Sequence, residues 1–362
     1  MLAPMKNDRL LGIQMGRGIA ALLVAVYHAT RMMDLPQYAG HKGFGGVLEF
    51  GYAGVDFFFV LSGFIIYFVH HRDLGRAEAL GRYAWRRVAR IFPNYWLITA
   101  PVFVLALIKH DPDLTAVHTV KALFLFPDSV APILGVAWTL VYEMLFYCAF
   151  ALAIANAWLG FAAAIAWMTW VVAVNSGAVH PHDPFLVIAG SILNLQFLLG
   201  LFAARMVLDR RVPYAKWLAL AGAVAFVGAG IAEDAGLFPW TSSTAHMIFA
   251  VCSMVIIAGL ATAEQEDQIR VGAIGELFGG ASYLLYLVHI LVIGVTLQAL
   301  RVTGLVRHLQ DFAIVGITVT AAFVFAAFLY RFFDLPVHRI LSRLGREHVY
   351  GPPVPRIARA GR

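Results

Sequence analysis

Long apolar blocks recur along the chain and constrain its fold more than any other feature. About ten blocks of roughly 17 to 24 mainly apolar residues follow one another, and about 20 helical residues cross the hydrocarbon core of a bilayer. Because lipid offers the backbone no hydrogen-bond partner, such blocks must be helical. The alternating pattern of an outer-membrane barrel is absent. The sequence therefore predicts an all-α fold, a polytopic transmembrane bundle of about ten helices.

Composition supports this prediction and argues against a soluble domain and against a nucleic-acid-binding protein. Hydrophobic residues make up 61% of the chain and charged residues only 13%, about half the charged share of a soluble domain. The net charge of +6 would suit a nucleic-acid binder, but the basic residues are spread over the predicted loops, so no nucleic-acid partner is expected. The two cysteines, Cys148 and Cys252, lie inside apolar blocks and resemble small core residues. No metal site is expected.

The positions of the blocks and of the basic residues predict the topology. We place helices near residues 13–30, 50–69, 92–108, 136–155, 158–174, 185–207, 215–232, 246–262, 280–300 and 312–333. With both termini in the cytoplasm, all but six of the 27 Lys and Arg residues fall on cytoplasmic segments, as the positive-inside rule requires. The six exceptions are Arg31, Lys42, Lys109, Lys121, Arg301 and Arg307.

A single domain accounts for nearly the whole sequence. Residues 1–340 are predicted to form one transmembrane domain, and residues 341–362 a basic cytoplasmic tail. The first block carries Arg17 and His28 and lacks a small-residue cleavage site, so we interpret it as a retained helix rather than a signal peptide.

Polar residues within the first helix are the first candidates for a functional site. His28 lies eleven positions after Arg17, which returns it to within about 20° of the same face, about 16 Å further along the axis. Gly18, Ala21 and Ala25 share this face and predict a shallow groove between the two polar side chains. The structural alternative is a small-residue packing seam with His28 hydrogen-bonded in the core. Ionisable residues within a membrane are costly and therefore indicate function.

Two carboxylates are predicted to lie close to this histidine. The second helix opens with Gly-Val-Asp-Phe-Phe-Phe-Val-Leu-Ser-Gly-Phe, which places Asp56 near the outer surface at the depth of His28. Glu143 enters the membrane from the outer side of the fourth helix. A carboxylate beside an imidazole can fix its tautomer and stabilise its protonated form. Each carboxylate could instead be a structural cap or a buried pair that bridges helices.

An arginine-rich segment marks the predicted cytoplasmic face. Arg87 and Arg90 are three residues apart and share a helix face, and together with Arg17 they could bind phosphate groups through several hydrogen bonds. The alternative is a positive-inside anchor that binds lipid head groups.

Four further residues are candidates of lower rank. The run Ser-Tyr-Leu-Leu-Tyr-Leu-Val-His places Tyr286 and His289 on one face of the ninth helix, where His289 could equally be a satisfied core histidine. Ser62 lies in the run that contains Asp56, and Trp138 opens the run that ends at Glu143.

Five motifs, taken in order, resemble the membrane-bound acyltransferase family 3. They are Arg17 with ten residues before His28, the Gly-Val-Asp-Phe-Phe-Phe-Val-Leu-Ser-Gly-Phe run, Arg87-x-x-Arg90-Ile-x-Pro-x-Tyr-Trp, Trp138-Thr-Leu-x-x-Glu143 and Ser282-Tyr-x-x-Tyr-x-x-His289. They span the transmembrane domain from residue 17 to residue 289. The resemblance implies O-acylation, usually O-acetylation, of a cell-surface or secreted carbohydrate or glycolipid. Acetyl-coenzyme A would be the donor, and the bacterial inner membrane the location.

Carried over residue by residue, the resemblance gives His28 the catalytic role. It implies donor-binding or essential positions for Arg17, Arg87 and Arg90. In the expected mechanism, the phosphates of coenzyme A bind these arginines and the pantetheine arm follows the small-residue groove of the first helix. His28 then deprotonates a sugar hydroxyl, oriented by Asp56 or Glu143. An acyl-histidine intermediate is equally compatible with these residues. Because no esterase-like domain is fused, the chain resembles the exopolysaccharide and Nod-factor acetyltransferases.

Two other classes of function fit some of these features. A transporter or flippase of a lipid-linked sugar would also have a basic rim and polar residues at mid-membrane. A structural partner in a polysaccharide-export complex would have no chemistry of its own. The acceptor, the acyl group, the choice between direct transfer and an acyl-enzyme, and the oligomeric state stay open at this point.

Overall fold

The computed structural model of the chain describes residues 10–41 and 43–348. Within this described part the secondary structure is helical without strands, which confirms the all-α prediction. Lys6, Arg9, Lys42 and residues 349–362, which contribute to the charge count and to the predicted tail, lie outside the described residues.

The α-helices are numbered in chain order. They are α1 (Leu11–Met33), α2 (Gly54–His70), α3 (Leu80–Ile108), α4 (Ala116–Leu123), α5 (Trp138–Ala155), α6 (Ala157–Asn175), α7 (Pro184–Gly190), α8 (Asn194–Leu208), α9 (Ala215–Asp234), α10 (Ser243–Gln265), α11 (Ala273–Val302), α12 (Asp311–Leu329) and α13 (Leu335–His348). Short 3₁₀ turns lead into α2, α3 and α5, at Glu49–Ala53, Ala77–Ala79 and Gly135–Ala137.

The number of spans agrees with the prediction of about ten. Nine helices of the described part are long and apolar enough to cross a membrane, and α7 with α8 gives a tenth if the bent pair is one span. The bend between α7 and α8 is 44°. Asn194 explains why the chain turns there, since its side-chain amide donates to the carbonyls of Ile188 and Ala189 at 2.8 and 3.1 Å. The single helix predicted over residues 185–207 is therefore broken.

The third predicted helix is longer than its apolar block. It was expected over residues 92–108, but α3 begins at Leu80. Arginine is a good helix former, so the polar turns before the apolar block continue the same helix. Arg87 and Arg90 therefore lie on the same helix as the apolar block that follows them.

Helices α1 and α11 pack closely and nearly in register. A Cβ added at Gly18 would lie 2.7 Å from the Cβ of Phe278, and one added at Gly279 would collide with the side chain of Gln14. Ala21 and Ala25 are fully buried. The predicted groove along this face of α1 is therefore wrong, because close contact with α11 occupies it. The alternative interpretation, a small-residue packing seam, is confirmed.

Helix α2 begins well inside the bundle. The residues Phe50 and Tyr52 of the preceding 3₁₀ turn are buried, and Gly54 packs directly against the carbonyl of Ala20 on α1. Ala20 is eight residues from His28, or about 12 Å of helix rise. Because α2 continues away from His28, the predicted equal depth of Asp56 and His28 is wrong.

The last span ends in a π-helical turn and an amphipathic helix. The π turn covers Tyr330–Asp334 and leads into α13, whose backbone carbonyl at Leu341 accepts a hydrogen bond of 3.1 Å from the indole of Trp85 on α3. Residues 341–348 of the predicted tail are thus helical and belong to α13. We call the end of the bundle near Arg17 the arginine end and the end near His28 the histidine end.

Candidate active site

Three arginines converge on one cavity at the arginine end. Arg17 of α1 and Arg87 and Arg90 of α3 line it together, as the sequence predicted for a shared anion site. Side chains of α2 from Val55 to Ile65, of α5 from Thr139 to Tyr147 and of α11 from Tyr283 to Tyr286 form its walls. The empty volume, counted with the solvent at its opening, is about 760 Å³.

The arginines of this cavity are not neutralised by direct ion pairs. Within the described part of the chain, no carboxylate lies within 4 Å of a guanidinium nitrogen of Arg17, Arg87 or Arg90. Arg17 donates to the side chain of Gln14 at 2.8 Å, whereas Nε of Arg87 is buried without a described hydrogen-bond partner. Unpaired buried cations are costly, so the arrangement suits an anionic ligand that supplies the missing acceptors.

Two aromatic rings fix the position of Arg87. Its guanidinium carbon lies 5.9 Å from the ring centre of Tyr83 and 5.6 Å from that of Tyr147. Cation–π contacts of this kind hold a guanidinium without consuming its hydrogen-bond donors. The side chain is only 9% exposed, so little reorganisation is needed before a ligand binds.

Glu143 lies among the arginines rather than beside His28. It lines the same cavity, where its Oε1 accepts a hydrogen bond of 2.9 Å from Ser62 and a short one from Tyr147. The predicted place near the outer surface is therefore wrong. The 3₁₀ turn that leads into α5 explains the difference, because Val136 and Ala137 of this turn are buried and α5 starts inside the bundle.

Sequence reasoning missed three polar residues of this region, Asn94, Tyr283 and Asp334. Asp334 of the π turn accepts a hydrogen bond of 2.5 Å from Asn94 of α3, and its charge acts on Arg17. Tyr283 lines the cavity and donates to the carbonyl of Ile91 at 3.1 Å. Tyr283 lies in the Ser-Tyr-x-x-Tyr run, and Asp334 lies two residues before a proline at the end of an apolar block. Both residues could therefore have been recognised from the sequence as site candidates.

A pair of histidines lies one helical turn beyond the cavity. His28 Nδ1 lies 2.9 Å from the carbonyl oxygen of Val24 and 3.2 Å from Nε2 of His289 on α11. The ring centres of the two histidines are 4.8 Å apart. His28 is partly exposed, whereas His289 is completely buried. The candidate of lower rank, His289, is thus the direct partner of His28.

Asp56 is not brought to His28. Its Oδ1 lies 2.8 Å from Nδ1 of His246 on α10 and accepts 2.5 Å from the side-chain amide of Gln196 on α8. The carboxylate is fully buried and ties α2, α8 and α10 together. The predicted pairing with His28 is replaced by the structural alternative, a buried pair that bridges helices.

Tyr286 connects the cavity to the histidine pair. Its hydroxyl lies 2.9 Å from that of Thr139 and donates to the carbonyl of Val136 at 3.1 Å, at the wall of the cavity. Its ring centre is 5.8 Å from that of His289. Trp138, the remaining candidate, is 39% exposed and packs edge-on against Tyr142 outside the cavity wall.

The site as a whole joins the arginine end of the bundle to its histidine end. Arg17 and His28 are eleven residues apart on α1, about 16 Å along the axis. A histidine with one free ring nitrogen can act as a general base or as a nucleophile. Residues described by the structure offer no cluster of three or more metal-ligating side chains.

Comparisons with known proteins give the family of the chain. The family model described as "Acyltransferase domain", that of acyltransferase family 3, matches residues 10–331. The exopolysaccharide production protein ExoZ of Rhizobium meliloti (strain 1021) is 30% identical over 275 residues, which are 73% of this chain and 84% of that protein. No solved structure shows significant similarity. The family match covers nearly all of the transmembrane bundle and every site residue that the motifs predicted. The chain therefore belongs to the membrane-bound acyltransferase family 3.

Proposed function

We propose that the protein transfers an acyl group, an acetyl group in the first place, from acyl-coenzyme A to a hydroxyl of a cell-surface or secreted carbohydrate. One observation carries the proposal. A cavity with three arginines that lack carboxylate partners among the described residues extends to Tyr286, one helical turn from the His28–His289 pair. An anion site and a catalytic histidine at this separation suit a donor with a charged head and a long neutral arm.

The donor is assigned to the cavity between α2, α5 and α11. The phosphates of coenzyme A would bind Arg17, Arg87 and Arg90 by charge-assisted hydrogen bonds. The cavity wall on α2 runs from Ile65 to Val55, about 15 Å of helix rise, which suits an extended pantetheine arm. This route replaces the one expected along α1.

The acceptor is assigned to the histidine end. His28 is partly exposed there, and its ring lies 4.8 Å from that of Tyr27, which is 6.3 Å from Trp240. Aromatic side chains are common platforms for sugar rings. The name of the relative, an exopolysaccharide production protein, supports an exopolysaccharide as the acceptor.

The transfer itself needs one ring nitrogen of His28. The O–H bond of the acceptor breaks as its proton passes to His28, and the oxygen forms an ester bond with the thioester carbonyl carbon. The C–S bond then breaks, and the leaving thiolate takes the proton from His28, which restores the free histidine. An acyl-histidine route would use the same nitrogen as nucleophile.

We infer the orientation of the bundle from the distribution of its charges. We assign the arginine end to the cytoplasm, where coenzyme A is made, and the protein to the bacterial inner membrane. Arg339 and Arg343 of α13, together with the arginines of α3, concentrate positive charge at this end.

Mass spectrometry of surface glycans tests the proposed function. Deleting the gene should remove O-acetyl groups from an exopolysaccharide, and reintroducing the wild-type gene should restore them. Purified protein in lipid nanodiscs should transfer a radiolabelled acetyl group from acetyl-coenzyme A to the isolated, deacetylated glycan. Unchanged acetylation after deletion, with no transfer in vitro, would contradict the proposal.

A further inference from the structure

We propose that His289 is a positioning residue that holds His28 in the tautomer with its lone pair on Nε2. His289 accepts a hydrogen bond from Nδ1–H of His28 through its own Nε2. The inference rests on the proposed function for its catalytic meaning, but the hydrogen positions follow from geometry alone.

The surroundings of His289 determine where its hydrogen lies. Its Nδ1 faces two carbonyl oxygens, of Tyr286 at 2.7 Å and of Leu285 at 3.2 Å. A ring nitrogen that faces carbonyl oxygens must carry the hydrogen, because two lone pairs at this distance repel each other. Since His289 is completely buried, it is neutral, and Nε2 therefore carries the lone pair.

The surroundings of His28 complete the assignment. Its Nδ1 lies 2.9 Å from the carbonyl oxygen of Val24 and 3.2 Å from Nε2 of His289. Both neighbours are acceptors, so Nδ1 of His28 must donate. The Nε2 of His28 is consequently the unprotonated nitrogen, free to take a proton or to attack a carbonyl carbon.

The carbonyl oxygen of Val24 alone would hold the ring of His28 less firmly. This oxygen already accepts the backbone N–H of His28 within α1. The second acceptor, His289, comes from another helix and fixes the plane of the ring. When His28 takes the proton of the acceptor hydroxyl at Nε2, the positive charge also strengthens the Nδ1–H hydrogen bond to His289. The stabilisation is therefore greater for the protonated state formed during transfer.

Substitutions that differ in one hydrogen-bonding atom test this role. The side-chain oxygen of glutamine reaches the position of a histidine Nε2, whereas the amide of asparagine reaches only the position of Nδ1. We expect His289→Gln to keep kcat within about tenfold of the wild type. His289→Asn and His289→Phe should lower kcat about 100-fold, at the low end of general acid–base effects. The KM for acetyl-coenzyme A should stay unchanged in all three, since the arginine site is intact.

A buried histidine elsewhere provides the matched control. His118 of α4 is 6% exposed and pairs with Asp128, outside the cavity and the histidine pair. His118→Phe should lower thermal stability without lowering kcat per folded molecule. If His289→Asn is as active as His289→Gln, or if the His289 variants change only the KM for the donor, the positioning role is refuted.

Nitrogen NMR separates this inference from the proposed function. In the full-length protein labelled with ¹⁵N-histidine, the shifts of His28, assigned with a His28→Ala variant, should show a protonated Nδ1 and a bare Nε2. A protonated Nε2 on His28 would overturn the assignment. This measurement needs no acetyl transfer, so a wild-type protein inactive with acetyl-coenzyme A would refute the proposed function while the NMR result still decides the role of His289.

Discussion

Replacing Arg87 with alanine should weaken the binding of acetyl-coenzyme A about 10- to 100-fold and leave kcat nearly unchanged. A hydrogen bond to a charged group contributes about 1.5–3 kcal/mol, and about 1.4 kcal/mol corresponds to tenfold in affinity. The structure indicates that this loss is not offset. Arg87 is only 9% exposed, and no described carboxylate is released by its removal.

The assay compares two donors that differ only in their phosphates. The KM of purified protein in nanodiscs is measured with acetyl-coenzyme A and with S-acetyl-pantetheine, which has the arm but no phosphate. Arg87→Ala should raise the KM for the first donor and hardly change that for the second. Arg86→Ala is the matched control, because Arg86 is exposed and does not line the cavity.

Equal losses with both donors would refute the phosphate site. Such a result would mean that Arg87 supports the fold of the cavity through Tyr83 and Tyr147 rather than binding the donor. An unchanged KM with acetyl-coenzyme A would likewise exclude Arg87 from the anion site.

Three further predictions concern the fold. Asp56→Leu should lower the free energy of unfolding by about 1–3 kcal/mol, because it leaves His246 and Gln196 without their buried acceptor, with kcat per folded molecule retained; a selective loss of kcat would restore Asp56 to the catalytic site. Gly18→Val should separate α1 from α11 and lower the yield of folded protein, which size-exclusion chromatography measures against Gly228→Val, where a Cβ meets nothing within 4 Å. Burial raises the pKa of Asp128, but hydrogen bonds from His118 and Lys121 outweigh it and hold the pKa below its usual 3.8. The stabilisation by this carboxylate is therefore present above pH 3.8 and lost as the pH falls through the lower folded pKa. Asp128→Asn should accordingly lower the melting temperature at pH 7, and an equal deficit below that folded pKa would contradict the reasoning.

The transmembrane helices could be predicted from sequence because lipid leaves the backbone no alternative. The break between α7 and α8 could not, since it depends on hydrogen bonds from Asn194 to two carbonyls on the other side of the bend. Nothing in the apolar pattern of residues 185–207 distinguishes a straight helix from this broken one.

Helix periodicity placed the arginines correctly but gave wrong depths for two carboxylates. Arg87 and Arg90 share a face of one helix. The concentration of arginines at one end of this helix predicts that both lie near one membrane surface. The depths of Asp56 and Glu143 were inferred as if their helices began at the membrane surface. Buried 3₁₀ turns at Glu49–Ala53 and Gly135–Ala137 lie before these helices and shift both residues deeper.

The partner of His28 lay beyond the reach of sequence reasoning. His289 is separated from it by 261 residues, and only the packing of α1 against α11 brings the two rings together. The small residues that were interpreted as a groove are the cause of this packing, since Gly18 allows the close approach.

Donor binding and acetyl transfer measured on one preparation of His28→Ala test the catalytic role of His28 most directly. The variant is reconstituted in nanodiscs, titrated with acetyl-coenzyme A by calorimetry and assayed for radiolabelled acetyl transfer to the deacetylated glycan. We expect wild-type donor affinity, because Arg17 of the arginine site lies about 16 Å from His28 along α1, together with a complete loss of transfer. Acetyl transfer at the wild-type rate in this variant would contradict a catalytic His28.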